Sequence, residues 1–305
     1  MTTVNEKIKF CGQDEKEFLK NYNANDYDRP SVTVDILLFT IVNGEQENYR
    51  TLPEKQLKVL FVKRAHHPFM GKWALPGGFV GIKETLNDTA YRVLKEEANV
   101  DRVYLEQLYT WGEVDRDPRT RVISSSYMSL VNNDQFNIQP GNTQNEAQWF
   151  NLKSKVIKES RETTEQGEIR EELIEISFTN KQEQFSAAVK KRVITEKHYR
   201  KADWEIIHSD HIAFDHAKII QYGIERLKNK LEYTDTAFNL MNEKFTLTEL
   251  QQVYETILDK PLLKANFRRK IANMVIETSE YTKDAGHRPS KLYVFNTRWH
   301  DLDGI

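Results

Sequence analysis

The stretch GGFVGIKETLNDTAYRVLKEEANV, residues 77–100, sets Glu84, Arg92, Glu96 and Glu97 behind the glycines Gly77 and Gly78. Carboxylates on one helix face can hold a divalent cation, which neutralises phosphate oxygens and activates water. Mg²⁺ takes oxygen ligands and keeps several waters, so Glu96 and Glu97 are the candidate metal ligands here. A second group needs no metal. Arg116, Arg119 and Arg121 put three guanidinium groups within six residues, and guanidinium grips phosphate bidentately. Arg64 is a fourth candidate, and Trp73 or Phe79 could stack on a base. Taken alone, DRDPRTR also reads as an exposed loop whose Asp and Arg pair with each other. A third group is basic. From Lys260 to Arg298 there are nine Lys/Arg against three acids, a charge of +6 over 39 residues in a chain of net −2.

The elements around these groups follow from periodicity. SVTVDILLFTIV and LKVLFVKR are β-branched and apolar, so they read as strands, and ALPGGFV as a short extended piece ending in glycine. From about Glu84 to Ala98 the pattern turns helical, with Leu86, Ala90, Val93 and Leu94 on one face. RVYLEQLYTWGEV and RVISSSYMSLV read as strands around DRDPR, and AQWFNL as another. KSKVIKESRETTEQGEIREE is charged and reads as a loop; ELIEISF and WEIIHSD could be strands that pair. FDHAKIIQYGIERLKNKLEY is an amphipathic helix with Ile219, Ile220, Ile224, Leu227 and Leu231 as its stripe. FTLTELQQVYETIL has a capping Thr, DKP makes a turn, LLKANFRRKIANMVI is a second helix, and 280–296 reads as a hairpin. Helix, turn, helix, hairpin is the order of a winged helix-turn-helix. On its second helix Lys264, Asn266, Arg268, Arg269 and Lys270 could read base edges or neutralise phosphate, with Arg288 and Lys291 on the wing.

A chain of 305 residues is long enough for two domains. The net charge of −2 gives no global reason to bind nucleic acid or membrane, so any basic surface is local. The one cysteine, Cys11, excludes an internal disulfide and a Cys-rich zinc site, which suits a reducing cytoplasm. His208, His211 and His216 lack a completing ligand set and are assigned to a domain junction.

Gly78, Glu84, Arg92, Leu94, Glu96, Glu97 and Val100 fall in register with the Nudix box G-x5-E-x7-R-E-U-x-E-E-x-G-U, where U is bulky and aliphatic. About 30–150 therefore resembles a Nudix domain, which implies an α/β/α sandwich with a mixed sheet, an α+β fold. In that family the Glu after the Arg and the last Glu of the pair form the metal ledge. Here those positions are Val93 and Glu97, so one carboxylate is an isopropyl group; Asn99 replaces the closing Gly. GKWALPGGFV and the DRDPR loop resemble those of ADP-ribose pyrophosphatases. With AFDHAKII, FTLTELQQVYETIL, NFRRKI and GHRPSKLYVFN, most of 30–296 resembles the Nudix-related transcriptional regulators of the NrtR type. The resemblance implies a homodimeric repressor on a palindromic DNA operator. Its pocket would sense ADP-ribose or a related nucleotide or sugar, and regulation would require no cofactor. The division expected is an arm at 1–29, a Nudix-like ligand-binding domain at 30–211 with an insertion at about 153–203, a linker helix at 212–235 and a winged helix domain at 236–305. The competing reading is a Mg-dependent Nudix hydrolase acting on ADP-ribose or another nucleoside diphosphate sugar.

Overall fold

The computed structural model describes residues 14–44, 53–100, 103–132, 146–282 and 289–299. Cys11, Arg288 and the turn of the C-terminal hairpin lie outside them. The order is α1 (Glu15–Asn21), β1 (Ser31–Asn43), β2 (Lys55–Lys63), β3 (Trp73–Ala74), β4 (Gly77–Phe79), α2 (Leu86–Ala98), β5 (Glu106–Trp111) and β6 (Val122–Leu130). Then come β7 (Glu146–Thr163), β8 (Gly167–Thr179), β9 (Gln184–Glu196), β10 (Tyr199–His208), α3 (His216–Lys230), α4 (Leu247–Leu258), α5 (Lys264–Ile271), β11 (Val275–Tyr281) and β12 (Lys291–Phe295). Among the described residues no helix is long and apolar enough to cross a membrane.

The main sheet runs β10-β9-β8-β7-β2-β1-β6-β5, with β3 beside β2 and β4 beside β1. Among the described strands β1 and β6 pair in parallel and the other neighbours antiparallel, so the sheet is mixed. β1 is buried on both faces, and its two-residue alternation separates two cores. Val34, Ile36 and Leu38 pack with Ala90, Val93, Leu94 and Ala98 of α2. Leu37, Phe39 and Ile41 face the other way, into the core that holds Ile219, Ile220, Ile224 and Leu227 of α3. This is the expected α/β/α sandwich. The helix expected as a linker is thus also a layer of it. At Gly223 α3 lies so close to β1 that an added Cβ would stand 2.0 Å from Leu37 Cδ2.

The stretch 153–163 is not a loop. It is the second half of an 18-residue strand, β7, and its outer part is exposed. WEIIHSD does not pair with ELIEISF either: β10 pairs with β9, a strand not anticipated, and β9 with β8. The outer part of β7 is exposed residue after residue, so charged side chains are tolerated on both of its faces. Cross-strand pairs such as Arg170–Glu159 at 3.1 Å and Lys190–Glu171 at 3.2 Å fit that setting.

In the C-terminal region Thr246 caps α4 through a capping box with Glu249. Phe267 and Ile271 anchor α5, the former with its ring 5.2 Å from Tyr254. α5 is shorter than expected: it ends at Ile271, and β-branched Val275 and Ile276 begin the hairpin β11–β12.

Candidate functional site

α2 starts at Thr85, whose side chain accepts from Asp88 N–H in a reciprocal capping box. It ends on Asn99 in the left-handed conformation, φ 53°, which Asn tolerates in place of Gly. Arg92 draws Glu84 and Glu96 together. Its Nε donates to Glu84 at 2.6 Å, Nη1 to Glu96 at 3.0 Å and Nη2 to the Phe79 carbonyl at 3.1 Å. Glu84 also accepts from Gly81 N–H at 2.9 Å and Thr89 Oγ1 at 3.0 Å. The Arg92 hydrogen bond, with those from Gly81 and Thr89, brings the Glu84 carboxyl down to about 2. Val93, 2% exposed, packs toward Gly78: a Cβ built there would stand 3.1 Å from Val93 Cγ2.

This donor set does not fit a metal ledge. The position one helical turn before Glu97 is apolar and buried, and Glu84 and Glu96 are both engaged by Arg92. Of the pair Glu96 and Glu97, Glu96 is thus already held by Arg92. Among the described residues no cluster of three or more His, Cys, Asp or Glu is placed to hold a metal ion.

Beside the box lies a cavity of about 210 Å³ lined in part by Asp35, Arg64, Phe79, Arg116, Arg119, Phe214 and His216. Four expected residues meet here. Arg64 donates through Nε to the Pro68 carbonyl at 2.7 Å and stacks on Phe214, 4.8 Å from its centroid. Arg119 pairs bidentately with Asp117, at 3.0 and 2.8 Å, and its guanidinium carbon lies 5.4 Å from the ring centre of Phe79. Arg116, its side chain only 4% exposed, donates to both oxygens of Asp215 at 3.0 and 2.7 Å and to Asp35 at 3.2 Å. Arg119 thus pairs within its own loop, while Arg116 reaches partners far along the chain.

Two expected residues are elsewhere. Trp73 is 1% exposed: β3 turns its ring into the core, 4.9 Å from Phe150, and its Nε1 donates to Glu183 at 2.8 Å. It cannot stack on a base. Arg121 donates to the carbonyls of Gly112 at 2.8 Å and Glu113 at 2.9 Å, so it fastens the loop and is not a lining residue.

Asp35 and His216 also line the cavity, although neither was expected there. Asp35 accepts from Ser124 Oγ at 2.5 Å and faces His216 Nε2 at 3.4 Å. Burial opposes its charge, but His216, Arg116 and Ser124 outweigh burial and hold the carboxyl well below the usual carboxylate range. Gly77 is required here, because a Cβ would stand 2.7 Å from Asp35 Oδ1. His216 Nδ1 accepts from the Leu75 N–H at 2.9 Å. The available signal was an Asp inside the apolar run VDILLFTIV, which a buried strand carries only when it is paired.

On α5, Lys264, Asn266, Arg268, Arg269 and Lys270 are all exposed. They do not share one face. Asn266 and Lys270 line a separate cavity with Glu232, Tyr254 and Leu258, and Lys270 Nζ lies 5.5 Å from the Tyr254 ring centre. Lys264, Arg268 and Arg269 lie on the rest of the helix. Lys291 is ion-paired with Glu277 across the hairpin.

The NUDIX domain family matches residues 49–173, and the NrtR DNA-binding winged helix domain family matches residues 237–295. The ADPR responsive transcriptional repressor NtrR of Acinetobacter baylyi is 31% identical over 292 residues, covering 95% of this chain and 91% of the relative. The chain belongs to the NrtR family. Solved structures agree with this assignment. A MutT/nudix family protein from Enterococcus faecalis superposes with a TM-score of 0.65 at 27% identity, covering 93% of this chain and 94% of that one. NrtR of Shewanella oneidensis, complexed with a 27mer DNA, gives a TM-score of 0.56 at 27% identity, covering 88% and 95%. As an NrtR-family protein, this chain joins a Nudix cleft to a winged helix. The cleft keeps arginine and aromatic side chains while its box lacks one ledge carboxylate.

Proposed function

We propose that this chain is a transcriptional regulator that senses ADP-ribose, or a related nucleotide or sugar, and binds a palindromic DNA operator as a homodimer. Two half-sites ask for two winged helices related by a two-fold axis. Arg64 and Arg119 would meet the ligand's phosphates, and Phe79, 46% exposed, would flank its base. Lys264, Arg268 and Arg269 would meet the operator. The observation that carries this reading is Val93: the ledge position is apolar and packed, while Arg64, Arg116 and Arg119 line the cavity beside it. A sensor needs binding, and turnover would destroy its signal. The relative named as an ADPR responsive repressor, matched over nearly its whole length, supports the same reading.

The test is incubation of the purified protein with ADP-ribose and Mg²⁺, alongside titration of a palindromic duplex at several salt concentrations. Ligand binding without AMP release, together with salt-sensitive duplex binding, is expected. Rapid AMP release would establish the Mg-dependent hydrolase instead.

A further inference from the structure

The entry to α3 is built from the cleft's own walls. Phe214 adopts a left-handed conformation, φ 54°, under the Arg64 guanidinium. Asp215 occupies the N-cap position, yet its side chain caps nothing. Its carboxylate is turned instead to the guanidinium of Arg116. His216, the first residue of the helix, accepts from Leu75 in the LPGGF segment and faces Asp35 on β1. The preceding segment is stitched to β3: Trp73 N–H donates to the His211 carbonyl at 2.9 Å, and Ala213 N–H to the Trp73 carbonyl at 2.8 Å.

From this clasp α3 runs 15 residues, about 22 Å at the usual rise, toward the winged helix. Its buried residues Ile224 and Leu227, with Leu231 just past its end, belong to the same continuous core as Leu250, Val253, Tyr254 and Phe267 of α4 and α5. α4 is also tied to the sheet side, through Gln252 to the Pro53 carbonyl at 3.3 Å. A movement at the start of α3 therefore has a packed path to α5.

We infer that the Arg116–Asp215 ion pair is the latch that couples the cleft to the winged helix. Arg116 lines the cleft, and its guanidinium is shared by two buried carboxylates. An anionic ligand arriving beside it competes with Asp215 for the same donors. Charge repulsion and bidentate recognition act in the same direction. With the latch closed the first turn of α3 is held against the sheet; with it open that turn is released. A ligand that favours one state shifts the population by its differential affinity alone. This inference rests on the ligand-sensing reading above. Asp215 is thus a positioning residue: it acts through Arg116 and α3 and does not line the cleft.

The experiment compares wild type with Asp215→Asn and Asp215→Ser. Serine supplies a helix-capping oxygen, so that variant keeps the start of α3 while freeing Arg116. Three quantities are read: ADP-ribose affinity, affinity for a palindromic duplex selected by the wild-type protein with and without ADP-ribose, and amide exchange over residues 216–220. In wild type ADP-ribose should change duplex affinity by about tenfold and speed exchange in that first turn. Both variants should bind ADP-ribose at least as tightly, show fast exchange without ligand, and lose the ligand dependence of duplex binding. Either variant responding like wild type would overturn the latch and leave the regulator reading intact. A wild type whose duplex binding ignores ADP-ribose would overturn the regulator reading and the latch together.

Discussion

Arg92 takes three acceptors with one guanidinium, and this fixes what the box can do. Its effect should be visible in acid. The folded-state pKa of Glu84 is depressed from 4.5 to about 2, so the associated stability is present above about pH 4.5 and lost as pH falls toward 2. Arg92→Ala removes the largest part of that depression and leaves the hydrogen bonds from Gly81 and Thr89. Its melting temperature should lie below wild type at pH 7, and the gap should close on acidification toward pH 2. A constant gap across an acid melting series would contradict this assignment. The neighbouring Val93 offers a complementary test. Val93→Glu forces a carboxylate into a site 2% exposed, at a cost of about 3 kcal/mol when nothing pairs with it. If Glu97, one helical turn on, is aligned with it, Mg²⁺ should restore part of the lost melting temperature, and ADP-ribose hydrolysis should rise. Metal-independent melting with no gain in turnover would show that the cleft has diverged beyond one side chain.

α3 is set against β1 at a glycine. Helix propensity alone favours Ala over Gly by about 1 kcal/mol. A Cβ at Gly223 would nevertheless stand 2.0 Å from Leu37 Cδ2, inside a fully buried core. Overpacking of this kind costs about 1–3 kcal/mol, so Gly223→Ala should give a net loss in urea unfolding. Adding Leu37→Ala should be much less than additive, because the second change makes the room that the first lacks. A stabilised Gly223→Ala would mean that the helix rides higher on the sheet. The periodicity of α3 was plain in its sequence, and its stripe is buried as expected. Its dual position, as a layer of the sandwich and as the step into the winged helix, was not plain, since one apolar stripe can pack against any apolar surface. Residues 153–163 misled for a related reason. Strands far from a covering layer can be charged on both faces, and then their composition matches that of a loop.

The chain places its arginine-lined cleft and its basic helix on one connected core, which runs from β1 through α3 to α5. The two ends can nonetheless be tested separately. Arg268→Ala and Arg269→Ala should each weaken duplex binding and lower the salt slope by about one, while ADP-ribose affinity stays at the wild-type value. A filter-binding or anisotropy titration at several salt concentrations reads both terms. Unchanged slopes would remove α5 from the DNA surface.

The helices, most of the strands and the Nudix box were readable because each is written within about two dozen neighbouring residues, and the helix–turn–helix–hairpin order is a succession of such pieces. Periodicity, capping and fixed motif spacing are local properties. The contacts that hold the cleft together were not readable in this way. Ser124 and Asp35 are 89 positions apart, Arg116 and Asp215 are 99 apart, and Leu75 and His216 are 141 apart. Their meeting depends on the parallel register of β1 with β6 and on how α3 lies on the sheet. The same holds for Trp73 and Arg121, whose residue types suited a ligand. Strand direction sends Trp73 into the core, and nearby carbonyls claim Arg121. Side-chain chemistry is set by the residue, but the atoms it meets are set by long-range packing.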